Sequence, residues 1–307
     1  MRFESDRLTP ITEVVVRIAH ASTSIALAVC LGVPQAAHAQ AQRLTARQVL
    51  DQIKANIGVP WSDQTVDTFK DGDPETPLTG IAVTMMATLD VLQRAAAAGA
   101  NLVITHEPTF YGHLDQLEPL EKASDRVTAA KRAFIREHKL VVLRMHDHWH
   151  RRKPDAIETG MIRALGWERF RRPESEYLFT LPQTTVERVA RDIRDRLGAA
   201  TLRVVGDPQL AVSRVALAPG FAGFPAHVQA LRRDDVEVLV IGEAHEWETV
   251  EYVADAVASG QHKALVVIGH IPSEQAGMED FARWLGPLVS GVPVTFVPAK
   301  DPFWSPK

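Results

Sequence analysis

Past residue 40 the chain alternates short apolar runs with longer stretches in which apolar residues recur every three to four positions. The runs of strand length are TGIAVTM (79–85), NLVITH (101–106), LVVLRMH (140–146), VSRVALAPG (212–220), VEVLVIGEA (236–244), KALVVIGH (263–270) and VPVTFVPA (292–299). Near-continuous Val, Ile and Leu predicts strands covered on both faces, the habit of parallel sheets. The helical period shows in LDVLQRAAAAGA, ASDRVTAAKRAFIREHK, TTVERVARDIRDRLG, TVEYVADAVASG and SEQAGMEDFARWLG. Gly99, Gly198 and Gly260 close three of these stretches, where a residue free to turn left-handed caps a helix. The alternation predicts an α/β fold of two α/β halves with mostly parallel buried strands.

Two stretches break the rhythm and serve as linker candidates: DTFKDGDPETP (67–77) and RFRRPESE (169–176). They divide the chain into an N-terminal α/β half over 44–170, a segment at 177–210 that suits a small inserted lobe, and a C-terminal α/β half over 211–303. The first residues follow another pattern. Arg17 precedes the run IAHASTSIALAVCLGVPQA, which ends in Ala37-His38-Ala39 before Gln40. A basic residue, a short apolar run and a small-x-small end are the marks of a cleaved secretory signal over 1–39. The expected location is then periplasmic or secreted, with no stable membrane insertion after cleavage; an uncleaved anchor helix is the alternative.

Composition narrows the chemistry. A net charge of −4, with no basic cluster interleaved with aromatics, gives nucleic acid no hold. The single cysteine, Cys30, falls inside the signal, so the mature chain would have neither disulfides nor thiolate ligands, and any metal site must use His, Asp and Glu.

Those residues gather at strand ends. After NLVIT comes His106-Glu107-Pro108; after LVVLRM comes HDHWH, His146 to His150; after VEVLVI comes Glu243 with His245; after KALVVIG comes His270, with Glu274 one helical turn on. In open α/β sheets ligands collect where strands end, so parallel neighbours would bring these groups to one rim. One histidine at a strand end is usually a hydrogen-bonding cap, and Glu274 alone would suit any first helical turn. Seven of the twelve histidines fall in or beside these places, which favours convergence on metal. Imidazole with carboxylate and no thiolate suits Zn, Fe, Mn or Ni rather than Ca or Mg. The donors exceed what one four-coordinate ion needs, which points to two divalent ions.

NLVITHEPTFYGH, the HDHWH segment and GHIPSEQAGM resemble the Nif-three-like family, also described as GTP cyclohydrolase I type 2 homologues or dinuclear metal-centre hexameric proteins. The resemblance spans most of 46–290. It implies an α/β core, a two-metal site and self-association as a homohexamer. By position, it implies metal ligands at His106, Glu107, His150, His270 and Glu274. Glu107 stands where the family's motif has a histidine and His150 where it has an aspartate; both replacements can ligate metal.

The resulting expectation is a metal-dependent hydrolase acting on a small, phosphorylated or cyclic amide substrate. His146 or His148 would orient a ligand or act as general base, and Glu243 and His245 would support the ligands from behind. Within HDHWH, His148 is the histidine expected to face solvent or substrate. The PGFAGF loop (219–224) would offer backbone N–H groups to an anion. A non-catalytic metal-handling oligomer uses the same ligands and remains the alternative.

Overall fold

The computed structural model describes residues 43–306; the expected signal over 1–39, and Cys30 within it, lie outside the described residues. In chain order the elements are α1 (Ala46–Asn56), β1 (Phe69–Asp71), β2 (Ile81–Thr84), α2 (Leu89–Ala97), β3 (Leu102–Thr105), α3 (Glu118–Lys122), α4 (Arg126–Glu137), β4 (Val141–Arg144), α5 (Asp147–His150) and α6 (Ala156–Leu165). They continue as β5 (Leu178–Thr185), α7 (Val186–Leu197), β6 (Arg203–Val205), β7 (Ala211–Ala218), α8 (Phe224–Leu231), β8 (Val238–Ile241), α9 (Glu251–Ala258), β9 (Ala264–Val267), α10 (His270–Leu285) and β10 (Val294–Phe296).

Among the described residues the strands form two five-stranded sheets, β1-β4-β3-β2-β10 and β5-β7-β8-β9-β6. Pairing is parallel except at three edges, where β1 meets β4, β5 meets β7 and β6 meets β9. The central strands β2, β3, β4, β8 and β9 are buried along their whole length, as their unbroken apolar composition predicts. One charged residue breaks the rule: Arg144, the last residue of β4, is fully buried.

The segmentation read from sequence differs in two places. Residues 177–210 are not a separate lobe: β5 and β6 close the two opposite edges of the second sheet, with α7 between them. The C-terminal half also does not stay together, because β10 returns to the first sheet beside β2, pairing Val294 with Ile81. Strand partners are set by packing across the whole chain, and a local apolar run carries no record of which sheet it will join.

Registers align the strand ends that matter. Thr84, Thr105 and Arg144 lie in one row of the first sheet, and Ala218, Ile241 and Val267 in one row of the second. The strand ends therefore reach one place from two rims instead of the single rim expected. Helix α10 joins them, leaving β9 of the second sheet and burying Met278, Phe281 and Leu285 in the core of the first. Where α10 crosses α6, Gly160 and Gly277 meet: a Cβ on Gly160 would lie 2.4 Å from the Gly277 Cα. This backbone contact fixes the segment carrying His150 against the helix carrying His270 and Glu274.

No helix of the described residues is long and apolar enough to cross a membrane.

Candidate metal centre

His106 follows β3 directly, and the register sets it beside Met145 of the neighbouring strand. Its Nδ1–H donates to the Met145 carbonyl at 3.1 Å, so Nε2 points inward. The HDHWH segment forms the helical turn α5 because Asp67, a buried carboxylate from before β1, receives its backbone N–H groups. Asp67 Oδ1 accepts from His146 and Asp147 at 2.6 and 3.0 Å, and Oδ2 accepts from His148 at 2.9 Å. In a helical turn residues four apart share a face and residues two apart oppose one another. His146 and His150 therefore turn into the cavity, and His148 turns away.

His148 thus corrects the sequence reading. It is fully buried rather than facing solvent or substrate. Its Nδ1–H donates to Asp67 at 2.6 Å, its Nε2 accepts from the Ser62 N–H at 3.0 Å, and its ring stacks on Trp61 at 3.8 Å between centroids. With both nitrogens committed it can serve neither as general base nor as ligand.

The remaining members converge. His106 Nε2 is 3.2 Å from His150 Nε2 and 3.5 Å from Glu274 Oε2. His270 Nε2 is 3.1 Å from Glu274 Oε2 and 3.3 Å from Glu107 Oε1. His146 Nε2 is 3.8 Å from Glu107 Oε1, which brings this histidine in beside the five expected ligands. Two overlapping groups result, His106–His146–His150 and His106–Glu107–Glu274, each with donor atoms within 4.8 Å of one another.

Each inward-facing imidazole is held from behind by an oxygen on its Nδ1. Met145 O serves His106; Asp147 serves His146 at 3.0 Å, Asp155 serves His150 at 2.8 Å, and Glu243 serves His270 at 3.1 Å. Such partners fix the ring orientation and aim each Nε2 at the cluster, where a cation could replace any proton it carries. Glu243 takes the supporting place expected of it. His245 does not: it is half exposed outside the cluster, with Nδ1 on Glu248 at 3.2 Å.

The electrostatics follow from crowding. Burial holds the His106 imidazolium well below its ordinary range, helped by His146 and His150, and burial likewise lowers His146. At His150 burial is outweighed by Asp155, which raises it. At His270 burial is outweighed by Glu107, Glu243 and Glu274, which push it up to about 12. Burial of Glu107 is likewise outweighed by His270, and its carboxyl is lowered.

The donor set fits a metal. With both Nδ1 atoms donating, the His106 and His150 Nε2 atoms face each other at 3.2 Å, an arrangement satisfied by a proton on His150, which Asp155 favours, or by a metal ion that takes that proton's place. Two donors about 2.0 Å from one tetrahedral ion lie about 3.3 Å apart, close to this spacing. These His and Glu groups can bind metal.

The cluster opens into a cavity of about 700 Å³ lined also by Met86, Tyr111, His113, Glu158 and Phe221. Burial, and then Asp155, push the Glu158 carboxyl up to about 7. The PGFAGF loop reaches the cavity, but the Gly220 N–H is already donated to Ser273 Oγ at 3.0 Å and is not free for an anion.

Sequence reading missed Arg144, Asp155 and Glu158. Arg144 left one signal, a charge inside an apolar strand run. Asp155 left another, an aspartate in N-cap position before the helical stretch AIETGMIRAL. Glu158 left none, since its place at the cavity depends on how α6 packs.

Comparison with known proteins agrees with this fold. The Duf34/NIF3 (NGG1p interacting factor 3) family model matches residues 64–302. No curated protein matches the chain. Among solved structures, the Staphylococcus aureus protein SA1388 superposes with a TM-score of 0.65 at 17% identity, over 85% of this chain and 99% of that one. A Bacillus cereus protein related to NIF3 gives 0.62 at 12% identity, over 85% and 99%. Reduced HcgD from Methanocaldococcus jannaschii gives 0.56 at 12% identity, over 83% and 97%. At these identities the likeness is one of fold.

Proposed function

The chain belongs to the Duf34/NIF3 family, and on that premise we propose that it is a metal-dependent hydrolase holding two divalent ions, Zn, Fe, Mn or Ni, at the His/Glu cluster. The observation that carries this is the pair His106 and His150, whose Nε2 atoms face each other at 3.2 Å while both Nδ1 atoms are committed elsewhere. His106, His146 and His150 would hold one ion and Glu107 and His270 the other. The Glu274 carboxylate, whose Oε2 is near both His106 and His270, would be shared.

Bound divalent ions would polarise a substrate oxygen and bring the pKa of water towards neutrality. The chain's own part is to orient and to move protons. Glu158, with its carboxyl near 7 and lining the same cavity, can donate or accept at neutral pH. Arg144 and Asp155 keep Glu107 and His150 in place. A cavity of about 700 Å³ admits a small substrate, phosphorylated or a cyclic amide. In this reading the mature protein is exported and works as a homo-oligomer, as the N-terminal signal pattern and the family resemblance suggest.

Turnover by the metal-loaded protein on a panel of phosphoesters, nucleotides and cyclic amides tests the enzymatic reading. Metal-dependent turnover that is lost in Glu158→Gln, with metal content intact, supports it. A fully loaded protein that turns over none of the panel argues for metal handling without catalysis.

A further inference from the structure

Three rings stand in a row that leads outward from the cavity. Phe221 lines the cavity and is 48% exposed; His245 lies 5.2 Å from it between centroids; Trp247 stacks on His245 at 4.6 Å with planes 11° apart and is 74% exposed. Single exposed aromatics are ordinary on a protein surface, but three rings packed one against the next beside a cavity present an apolar strip continuous with it.

The row is held in place from the metal side. Gly220, next to Phe221, has a φ of 64°, and a Cβ there would lie 2.1 Å from Glu274 Oε1, so only glycine lets the loop pass this close. Its N–H donates to Ser273 Oγ, and its carbonyl accepts from the Glu243 N–H at 2.9 Å. His245 is steadied by Glu248. The strip is also narrow. Glu243 and the exposed ion pair Arg203–Glu246 lie beside it, so it lacks the several hundred Å² of continuous apolar surface that two protein copies need. Flat, preordered faces running into a polar cavity fit one kind of occupant, a planar ring with a polar remainder.

We propose that Phe221, His245 and Trp247 form a stacking subsite for a planar aromatic or heteroaromatic ring whose polar remainder enters the His/Glu cavity. The inference rests on the reading of that cavity as a substrate site, and it adds a class of substrate to it.

Isothermal titration calorimetry on the full chain tests it with two ring-bearing probes, adenosine and 4-nitrophenyl phosphate, against their ringless counterparts ribose and methyl phosphate. The expected result is that at least one ring-bearing probe binds roughly 5- to 100-fold tighter than its counterpart, the range that stacking gives. Trp247→Ala and Phe221→Ala should each erase most of that preference. A preference for adenosine places the ring in a nucleoside; a preference for 4-nitrophenyl phosphate places it in a simple aryl group; both support the subsite. No ring preference, or one that survives both substitutions, overturns it. So does a Trp247→Ala variant that lowers the mass of the assembly in solution while ring binding is unchanged, since the strip then pairs copies of the chain. Metal content measured on the same samples separates the two readings: ring binding without metal removes only the metal centre, and metal without ring preference removes only the subsite.

Discussion

Arg144 and Glu107 form a buried pair that divides the work of the Glu107 carboxylate between its two oxygens. Oε2 lies 3.4 Å from Arg144 Nη2, and Oε1 faces His270 at 3.3 Å, so one oxygen is held and one is left to the cluster. Arg144 also donates from Nε to the His106 carbonyl at 2.9 Å and from Nη1 to the His113 carbonyl. One fully buried guanidinium thus ties together three stretches that line the site. Removing one partner of a buried pair leaves an uncompensated charge, so Arg144→Met should cost about 3–5 kcal/mol. Arg144→Lys should cost less but still misplace Glu107, because an ammonium cannot reproduce the fork. Urea unfolding of the two variants with metal analysis checks this; a loss under 1 kcal/mol in Arg144→Met would mean the pair does not organise the site.

His148 and His146 should behave oppositely. His148→Ala empties a fully buried position, leaves the Ser62 N–H without its acceptor and removes one of the donors to Asp67, which predicts a stability loss of about 2–4 kcal/mol with the metal stoichiometry of the folded fraction unchanged. His146→Ala, at a partly exposed position on the cavity, should lower metal affinity with little loss of stability. Thermal unfolding with metal analysis on both variants would contradict the account if His148→Ala were the one that released metal.

Much of this site was legible along the chain, and the reason is physical. Strands buried on both faces must be apolar throughout, so their ends stand out, and the groups following them are where polar chemistry can sit. His106, Glu107, the HDHWH segment, Glu243, His245, His270 and Glu274 stood out that way, and the family resemblance then singled out His106, Glu107, His150, His270 and Glu274 as ligands. What could not be read were partners distant in sequence. Whether HDHWH runs on as a strand or turns as a helix is decided by Asp67, 79 residues before His146. That one capping carboxylate reverses the direction of His148. Likewise, the place of 177–210 at the edges of the second sheet depends on β7 and β9, which the local pattern does not contain.

Gly220 and Gly223 offer a controlled comparison on one loop. Both have positive φ, 64° and 82°, so alanine at either should cost about 1–3 kcal/mol of backbone strain, the larger share at Gly223, whose ψ of 159° suits only glycine. Only at Gly220 would the new Cβ strike Glu274 Oε1; at Gly223 the nearest atom is 3.9 Å away. Gly220→Ala should therefore lose metal affinity as well as stability, and Gly223→Ala stability alone. Equal metal affinity in the two variants would show that the loop does not press on Glu274.

Lys131 gives a pH dependence independent of the cluster. Burial pushes its ammonium down to about 8, against the pull of Asp115, while its Nζ donates to the Thr109 carbonyl. A lysine lowered on folding binds its proton less well in the native state. The native state therefore carries a penalty of about 3 kcal/mol while the group is charged in both states, below pH 8. The penalty is relieved as pH rises from about 8 towards 10.5, so stability relative to Lys131→Met should increase across that window. Urea unfolding of both proteins at pH 7.5 and pH 10 reads the difference; a gap that stays constant or moves the other way contradicts the burial of the charge.

The central claim is that His106, Glu107, His146, His150, His270 and Glu274 hold metal, and elemental analysis of the purified protein tests it most directly, with His106→Ala and Glu274→Gln alongside. The account predicts close to two divalent ions per chain, falling to one or fewer when His106 or the shared Glu274 is changed. Protein that is metal-free as isolated and takes up none of Zn, Fe, Mn or Ni on dialysis, or variants that retain the full complement, would contradict it.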